Sequence, residues 1–142
     1  MNNSEISSYR YDRIAEEYEC FEINGEEYRV RSFDAFTGIS AAKIAWKNYL
    51  GGKLRPNTSL GDLFVAMALE VLKNDELITL AKYSMKVCEK RLKSGWTSIV
   101  DKAGNYQVPE IETDSAATFI IMKHAVVFGT SCFFSVLSSG LK

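Results

Sequence analysis

The stretch of residues 114–137 constrains the fold of this chain more than any other part of the sequence. Its apolar residues recur at steps of three, four and seven, which is the spacing of a helix. They form three rows: Phe119, Met122, Val126, Phe133 and Val136; Ile120, Val127 and Phe134; Ile121, Ala125, Phe128 and Cys132. Because these rows leave almost no polar side, the helix needs cover nearly all the way round. We therefore expect a central helix or half of an interface.

A membrane span is the competing interpretation of this stretch. Lys123 and His124 lie inside it, and a lysine at the centre of a bilayer costs about 2.5 to 3.5 kcal/mol on insertion scales. Polar residues at 130 and 131 dilute the apolar character further. The N-terminus also lacks the basic start and apolar run of a secretion signal. These features predict a cytoplasmic protein with a strongly apolar core helix.

The composition is that of one folded domain, with 46% apolar and 25% charged residues. A formal charge of −1, from 17 basic and 18 acidic residues, gives no excess of positive charge to recruit nucleic acid. The charges are unevenly distributed, however. Residues 1–31 carry eight acids and four bases, whereas residues 82–102 carry six bases and two acids. Such asymmetry either orients a partner or lets the two segments face each other.

Signals of catalysis and of cofactor binding are absent from the sequence. The single histidine, His124, lies eight residues from Cys132 on the same predicted helix, roughly 12 Å away by helical rise, which is too far for proton transfer. The three cysteines are scattered, which argues against a disulfide framework and for a reducing compartment. No short Cys or His spacing suits zinc, and no glycine-rich phosphate loop occurs. We predict a non-enzyme without cofactor or metal, in which His124 is partly buried or at an interface.

The pair Asn24-Gly25 between two alternating segments predicts a β-hairpin over residues 19–31, because both residues tolerate positive φ. A two-residue turn sets Ile23 opposite Glu26 and Phe21 opposite Tyr28. One face of the hairpin can then lie on a helix: Phe21, Ile23, Tyr28 and Val30. The other face sets Glu22 opposite Glu27, a like-charge pair that Arg29 or a partner's cation could neutralise.

Three helices are predicted between the hairpin and residue 95, each with a cap at its start. Asp34 caps the first, which the glycine pair at 51 and 52 ends; Ser59 caps the second; Asn74 caps the third, which Gly95 ends. The inward faces are predicted as follows: Phe36, Ile39, Ala42, Trp46 and Tyr49 or Leu50; Leu63, Phe64, Met67 and Val71; Leu77, Leu80, Ala81, Ser84 and Cys88. In the third helix, Glu89 and Lys93 are spaced for an ion pair.

Residues 96–108 read as a second, weaker hairpin, and Thr113 or Asp114 is expected to cap the long final helix. Glu110, Glu112 and Asp114 would favour the positive end of that helix. The predicted fold is mainly α, of the α+β class, with about four helices and one or two short β-hairpins packed on them. Residues 1–18 form a polar arm, and residues 19–142 form a single domain.

Two features are candidate partner-binding sites. The first is a row of cations on one face of the third predicted helix: Lys82, Lys86, Lys90 and Lys93. Such a row is either a solvated face or a surface for an acidic partner or nucleic acid, and its lack of interleaved aromatics disfavours single-strand binding. The second is Phe133-Phe134, whose side chains point about 100° apart on a helix, so that the core takes one and a partner the other.

Two segments resemble the tail assembly chaperones of long-tailed bacteriophages. Residues 21–44, FEINGEEYRVRSFDAFTGISAAKI, run from a short hairpin into a helix through F-D-A-F. Residues 100–134, VDKAGNYQVPEIETDSAATFIIMKHAVVFGTSCFF, place a short polar turn before a final apolar helix that ends in an aromatic pair. The likeness covers about two thirds of the chain.

This resemblance implies a small, mainly helical protein of the host cytoplasm that performs no catalysis. It would bind the phage tape measure protein, keep it soluble and help tail tube subunits gather on it, and it could form a homo-oligomer. The alternative is a small phage-encoded inhibitor that docks on a host protein or mimics DNA. Its sequence cue would be a compact acidic stripe, for which the acids of residues 12–27 are the candidate.

Overall fold

A computed structural model describes residues 18–46 and 59–140, with side chains up to Phe133 apart from Cys132. Most of the predicted arm of residues 1–18 lies outside these ranges, as do Tyr49, Leu50 and the glycine pair at 51 and 52. The elements follow in the order β1 (Tyr18–Ile23), β2 (Glu26–Arg31), α1 (Ala35–Ala45), α2 (Leu60–Glu70), α3 (Asn74–Lys86), β3 (Cys88–Leu92), β4 (Gly95–Ser98), α4 (Pro109–Glu112) and α5 (Ser115–Gly140). This arrangement confirms the predicted α+β class.

The four described strands form one antiparallel sheet in the order β1-β2-β3-β4. Asn24 and Gly25 both adopt positive φ, 52° and 79°, and the register sets Phe21 opposite Tyr28 and Ile23 opposite Glu26. The predicted hairpin and its register are therefore confirmed. Its inward face packs on the helices, with Ile23, Tyr28 and Val30 buried. The 24–25 turn is thus tied to the core through alternate residues of both strands.

Helix α5 is the central element of the core. It packs against the four other described helices and against β1 and β2. Its fully covered positions are the following: Ala117, Ile121, Met122, Ala125, Val126 and Thr130. None of the helices in the described ranges has both the length and the apolar character needed to cross a membrane.

Close packing around α5 depends on two small residues. Gly129 lies against the ring of Phe33, so that a Cβ built at this position would stand 2.5 Å from Phe33 Cδ2. At the next position, the buried Thr130 hydroxyl accepts a 2.8 Å hydrogen bond from Trp46 Nε1 and donates to the Val126 carbonyl. The buried indole N–H is thereby satisfied, which avoids the cost of an unpaired polar group.

Side-chain caps begin three of the helices. Asp34 accepts from the Thr37 N–H at 3.1 Å, Ser59 Oγ from the Asp62 N–H at 3.1 Å, and Asp114 from the Ala117 N–H at 2.9 Å. These three predicted caps are confirmed. Asn74, by contrast, is the first residue of α3, and Lys73 precedes it as N-cap, its N–H donating to Glu76 Oε1 at 2.9 Å.

The predicted extent of the third helix is wrong, since α3 ends at Lys86 and the next residues form strand β3. Strand β3 pairs with β2, with Cys88 opposite Val30 and Lys90 opposite Tyr28. Without β3, the edge of β2 would expose a row of unpaired backbone groups, so pairing overrides the local helical pattern. The predicted helical pair of Glu89 and Lys93 is wrong for the same reason.

The predicted inward face of the first helix is also partly wrong. Phe36 is 84% exposed and Ile39 is exposed as well. The helix instead buries a stripe of small residues, Ala41, Ala42 and Ala45, together with Trp46. Small side chains let α1 approach α5 closely, which the bulk of Phe36 would prevent. On α2, Leu63, Phe64 and Met67 are buried as predicted, whereas Val71 is exposed just after the helix end.

The second predicted hairpin forms only in part. Strand β4 pairs with β3 and not with the segment that follows it, and the expected partner strand is reduced to a single bridge between Val100 and Tyr106. Residues 101–105 form the turn between them, with Gly104 at φ 89°. Pro109 then opens the short helix α4, in which Glu110 and Glu112 lie.

Candidate partner-binding groove

The predicted row of four lysines is not a single helical face. Lys82 and Lys86 lie on α3, Lys90 lies on β3, and Lys93 lies in the turn after it. Lys90 is buried on the inner side of the sheet, where its Nζ donates to Glu110 Oε1 at 2.7 Å and lies 3.8 Å from Glu26 Oε2. The break in the row follows from the end of α3 at Lys86.

The structure describes the side chain of only the first residue of the predicted aromatic pair, Phe133-Phe134. Phe133 is partly buried and packs against the core. The side chain of Phe134 lies outside the described side chains, so its suggested contact with a partner stays a prediction.

Lys82 and Lys86 instead border an open groove along α3, which we call the α3 groove. One part, with a cavity volume of about 460 Å³, lies between α3 and the loop after β4; it is lined by Ile78, Ala81, Lys82, Met85, Lys86, Val100, Ala103, Gly104 and Tyr106. The other part, of about 420 Å³, continues toward α4 and the start of α5; it is lined by Leu77, Ile78, Ala81, Tyr106, Glu112, Thr113, Ser115, Thr118, Phe119 and Met122. The two parts share Ile78, Ala81 and Tyr106.

The floor and walls of the α3 groove are mainly apolar because α3 carries apolar residues on two sides. Leu80 and Met85 are buried in the core, whereas Ile78 faces outward and is 55% exposed. On the opposite wall, the bridge to Val100 holds Tyr106 beside α3. An exposed isoleucine at the junction of two apolar cavities is a surface that an apolar partner would cover.

One end of the α3 groove is basic. A neighbouring polar cleft shares Lys86 and Val100 with the groove, and it is lined in addition by Arg31, Ser98, Asp101, Lys102 and Gln107. Arg31 donates from Nη2 to the backbone carbonyl of Lys86 at 3.2 Å, which holds the guanidinium beside the lysine. We call Arg31, Lys86 and Lys102 the basic cleft.

The cations of this end have no acidic partner within the described part of the chain, where no ion pair involves Lys82, Lys86, Lys102 or Arg31. Asp101 also lines the cleft, but its carboxylate accepts the backbone N–H groups of Asn105 and Ala103, both at 2.9 Å. The bond from Asn105, more than any other interaction, lowers the pKa of Asp101. Its charge therefore stabilises the 101–105 turn.

The opposite fields predicted for residues 1–31 and 82–102 meet each other in the sheet. Lys90 Nζ lies 3.8 Å from Glu26 Oε2, and Arg91 Nη1 lies 3.4 Å from Glu27 Oε2. One pair has the reverse polarity, since Arg29 Nε donates to Glu89 Oε1 at 2.7 Å. Arg29 is also stacked on the rings of Tyr18 and Trp96, 3.7 and 4.2 Å from their centroids. Arg91, and not Arg29, thus offsets the predicted repulsion between Glu22 and Glu27.

The two chemically most distinctive side chains outside the groove are also engaged in pairs. His124, half-buried on α5, stacks on Phe21 with centroids 4.1 Å apart, and its Nδ1 lies 3.1 Å from Glu19 Oε2. Lys90 has a raised pKa because of its hydrogen bond from Nζ to Glu110, whose own pKa is lowered by the same bond. Such a lysine stays protonated and is a poor nucleophile. Across residues 18–46 and 59–140, no group of three His, Cys, Asp or Glu is arranged to hold a metal ion.

Sequence reasoning found two border residues of the groove, Lys82 and Lys86, but missed its apolar lining. Ile78 lies off the row predicted to face inward, which is the signal that could have marked it as exposed. The contribution of Val100, Ala103 and Tyr106 had no such signal, since it depends on how the loop after β4 folds back toward α3.

Comparisons of the chain with family models, with curated proteins and with solved structures found no significant match.

Proposed function

We propose that this protein is a non-enzymatic tail assembly chaperone of a long-tailed phage. In this proposal it binds an amphipathic helix of the tape measure protein in the α3 groove, in the host cytoplasm. Covering the apolar stripe of that helix would keep the long tape measure protein soluble until tail tube subunits gather on it. The proposal combines the resemblance of residues 21–44 and 100–134 with a groove of suitable shape.

The observation that carries the proposal is the apolar channel that two adjoining cavities form along α3, bordered at one end by cations that form no ion pair among the described residues. From Leu77 to Lys86 the channel follows α3 for about 14 Å by helical rise. About three turns of a partner helix would cover that length, and apolar side chains at i, i+3, i+4 and i+7 would meet Ile78, Ala81 and Met85.

Exposed apolar side chains elsewhere on the described surface give further support. Phe36 on α1 and Leu69 on α2 are 84% and 74% exposed. Single exposed apolar residues are ordinary on soluble proteins, so these two do not define a site. They are consistent with a protein that works by contact with other chains, such as the client, the tail tube subunits or a second copy of itself.

The alternative, an inhibitor with a DNA-mimicking acidic stripe, has less support. Two of its candidate acids already have cationic neighbours in the fold, since Glu26 lies by Lys90 and Glu27 by Arg91, and a third, Glu19, lies beside the ring of His124. A stripe that imitates DNA needs carboxylates free to face the host protein. We therefore favour the chaperone.

The proposal is tested by co-expressing the protein with overlapping fragments that cover the tape measure protein of the same genome. We expect at least one fragment to become soluble and to elute with the protein from a sizing column. Ile78→Asp should abolish this complex, whereas Leu69→Asp, a matched change at an exposed apolar residue outside the groove, should preserve it. If no fragment along the whole length associates, the proposal is wrong.

A further inference from the structure

We infer that the basic cleft at the end of the α3 groove binds carboxylates clustered at one end of the helix held in that groove. The partner of the groove would then be an amphipathic helix with an acidic end, placed in a fixed direction. This inference rests on the proposed function for the name of the partner, but it concerns the charge pattern that the groove selects.

The apolar surface of the α3 groove and the basic cleft are adjacent. Lys86 and Val100 belong to both the groove and the cleft, so a helix lying over Ile78 and Met85 runs directly toward the cations. Lys82 lies one turn before Lys86 on the same helix and also lines the α3 groove. Any side chains that extend past Met85 at this end therefore enter a basic environment.

The cations of the basic cleft differ from the other cations of the fold. Arg29, Lys90 and Arg91 each form an ion pair with a carboxylate, whereas none of the cations of the basic cleft forms one among the described residues. Three cations from β2, α3 and the 101–105 turn line the cleft together with one acid, Asp101, whose carboxylate accepts two backbone N–H groups of its own turn, so the cleft has an excess of positive charge. Converging like charges repel, and an acidic ligand removes that repulsion on binding.

The charges along the α3 groove also define a direction for the bound helix. The far end of the groove carries Glu112 near Thr113 and Ser115, so the channel runs from an acidic side chain to a basic cluster. A helix with carboxylates at one end and a lysine at the other matches this gradient in one direction only. In the opposite direction, like charges would meet at both ends, and such contacts give specificity by exclusion.

The test uses three synthetic helical peptides with one shared apolar stripe. Their common end segment carries four Glu, four Gln or four Lys residues. We expect the Glu peptide to bind about tenfold more tightly than the Gln peptide, and the Lys peptide most weakly, because close charge pairs act across a desolvated contact. The preference should weaken as salt is raised. Fluorescence anisotropy with labelled peptides measures all three affinities.

Variants of the protein then locate the effect. Lys86→Glu with Lys102→Glu should reverse the order, so that the Lys peptide binds best. The matched control, Lys73→Glu with Lys93→Glu, changes two exposed lysines outside the cleft by the same charge and should retain the original order. Equal affinity for the three peptides, absence of binding by all three, or equal effects of the two double variants would overturn the inference.

Failure of this inference can be distinguished from failure of the proposed function. If a tape measure fragment binds but the Lys86 and Lys102 variants do not weaken it, the inference about charge falls and the chaperone proposal stands. If the Glu peptide binds in the groove while no tape measure fragment does, the chaperone proposal falls and the charge preference stands.

Discussion

The cations of the sheet and those of the α3 groove differ in whether they form ion pairs. On the sheet, Arg29, Lys90 and Arg91 each lie beside a carboxylate that the fold itself supplies. Along the groove, Lys82, Lys86 and Lys102 border apolar and polar cavities, and none of them forms an ion pair within the described ranges. The charges of the sheet therefore stabilise the fold, whereas those of the groove are available to another molecule. Changes on the sheet and in the core should therefore alter stability, and changes in the groove should alter binding.

The largest effect on stability is expected where α5 meets Phe33. Gly129→Ala places a Cβ 2.5 Å from the Phe33 ring, and such overpacking costs about 1 to 3 kcal/mol. The matched control is Gly38→Ala in α1, where the added Cβ finds its nearest atom at 3.8 Å; better helix propensity there should gain about 0.5 to 1 kcal/mol. Urea unfolding measures the change in the free energy of unfolding for both variants. Changes of the same sign would contradict the packing described around α5.

A second effect concerns the alkaline limit of stability. Burial raises the pKa of the Cys88 thiol far above its ordinary value of 9.0. Above pH 9 the unfolded chain loses this proton while the folded chain keeps it, so stability should fall as pH rises. The slope contributed by one proton approaches about 1.4 kcal/mol per pH unit. Cys88→Ala should remove this contribution from urea unfolding curves recorded across that range, whereas Cys20→Ala, at an exposed thiol, should leave it.

A third effect separates two arginines on the outer face of the sheet. The side chain of Arg29 is 20% exposed and stacked on two rings, whereas that of Arg91 is 61% exposed with a longer contact to Glu27. Arg29→Ala should destabilise the protein by about 1 kcal/mol, through the lost cation–π contacts and ion pair. Arg91→Ala should change stability by less than about 0.5 kcal/mol, as is usual for exposed pairs. If both variants lose the same stability in thermal unfolding, the stacking of Arg29 on the two rings does not stabilise the protein.

The smallest effect on stability is expected in the groove. Ile78→Ser removes an exposed side chain that buries little surface in the fold, so the free energy of unfolding should change by less than about 0.5 kcal/mol. Binding to a tape measure fragment should nevertheless weaken by about tenfold or more, since an apolar anchor at the centre of an interface is often worth over 1 kcal/mol. Leu69→Ser, outside the groove, should alter neither quantity. A large loss of stability in Ile78→Ser would show that the residue belongs to the core.

Local chemistry explains which features were predictable from the sequence. The hairpin register followed from Asn24-Gly25, the caps from Asp34, Ser59 and Asp114, and the central position of α5 from its apolar rows. Strand β3 was missed because the pattern before Gly95 is helical in isolation, and the demand of β2 for a partner strand is not a local property. The error over Lys90 and Lys93 followed from this one.

The groove was predictable only in part for a related reason. Lys82 and Lys86 were singled out as a cationic face, and that much is visible in a helical pattern. The apolar wall opposite them depends on the turn of residues 101–105 and on the bridge from Val100 to Tyr106. Contacts between segments that are separated along the sequence are set by tertiary packing, which periodicity cannot show.

Methyl NMR of the protein, with and without a soluble fragment of the tape measure protein, shows whether the α3 groove holds the client. If the groove holds the client, the methyl signals of Ile78, Ala81 and Met85 should shift or broaden on binding. Those of Ile23 and Val30, on the inner face of the sheet, should stay in place. Shifts confined to residues outside the groove, or no shifts with any fragment, would contradict the claim that this protein acts by covering a client helix along α3.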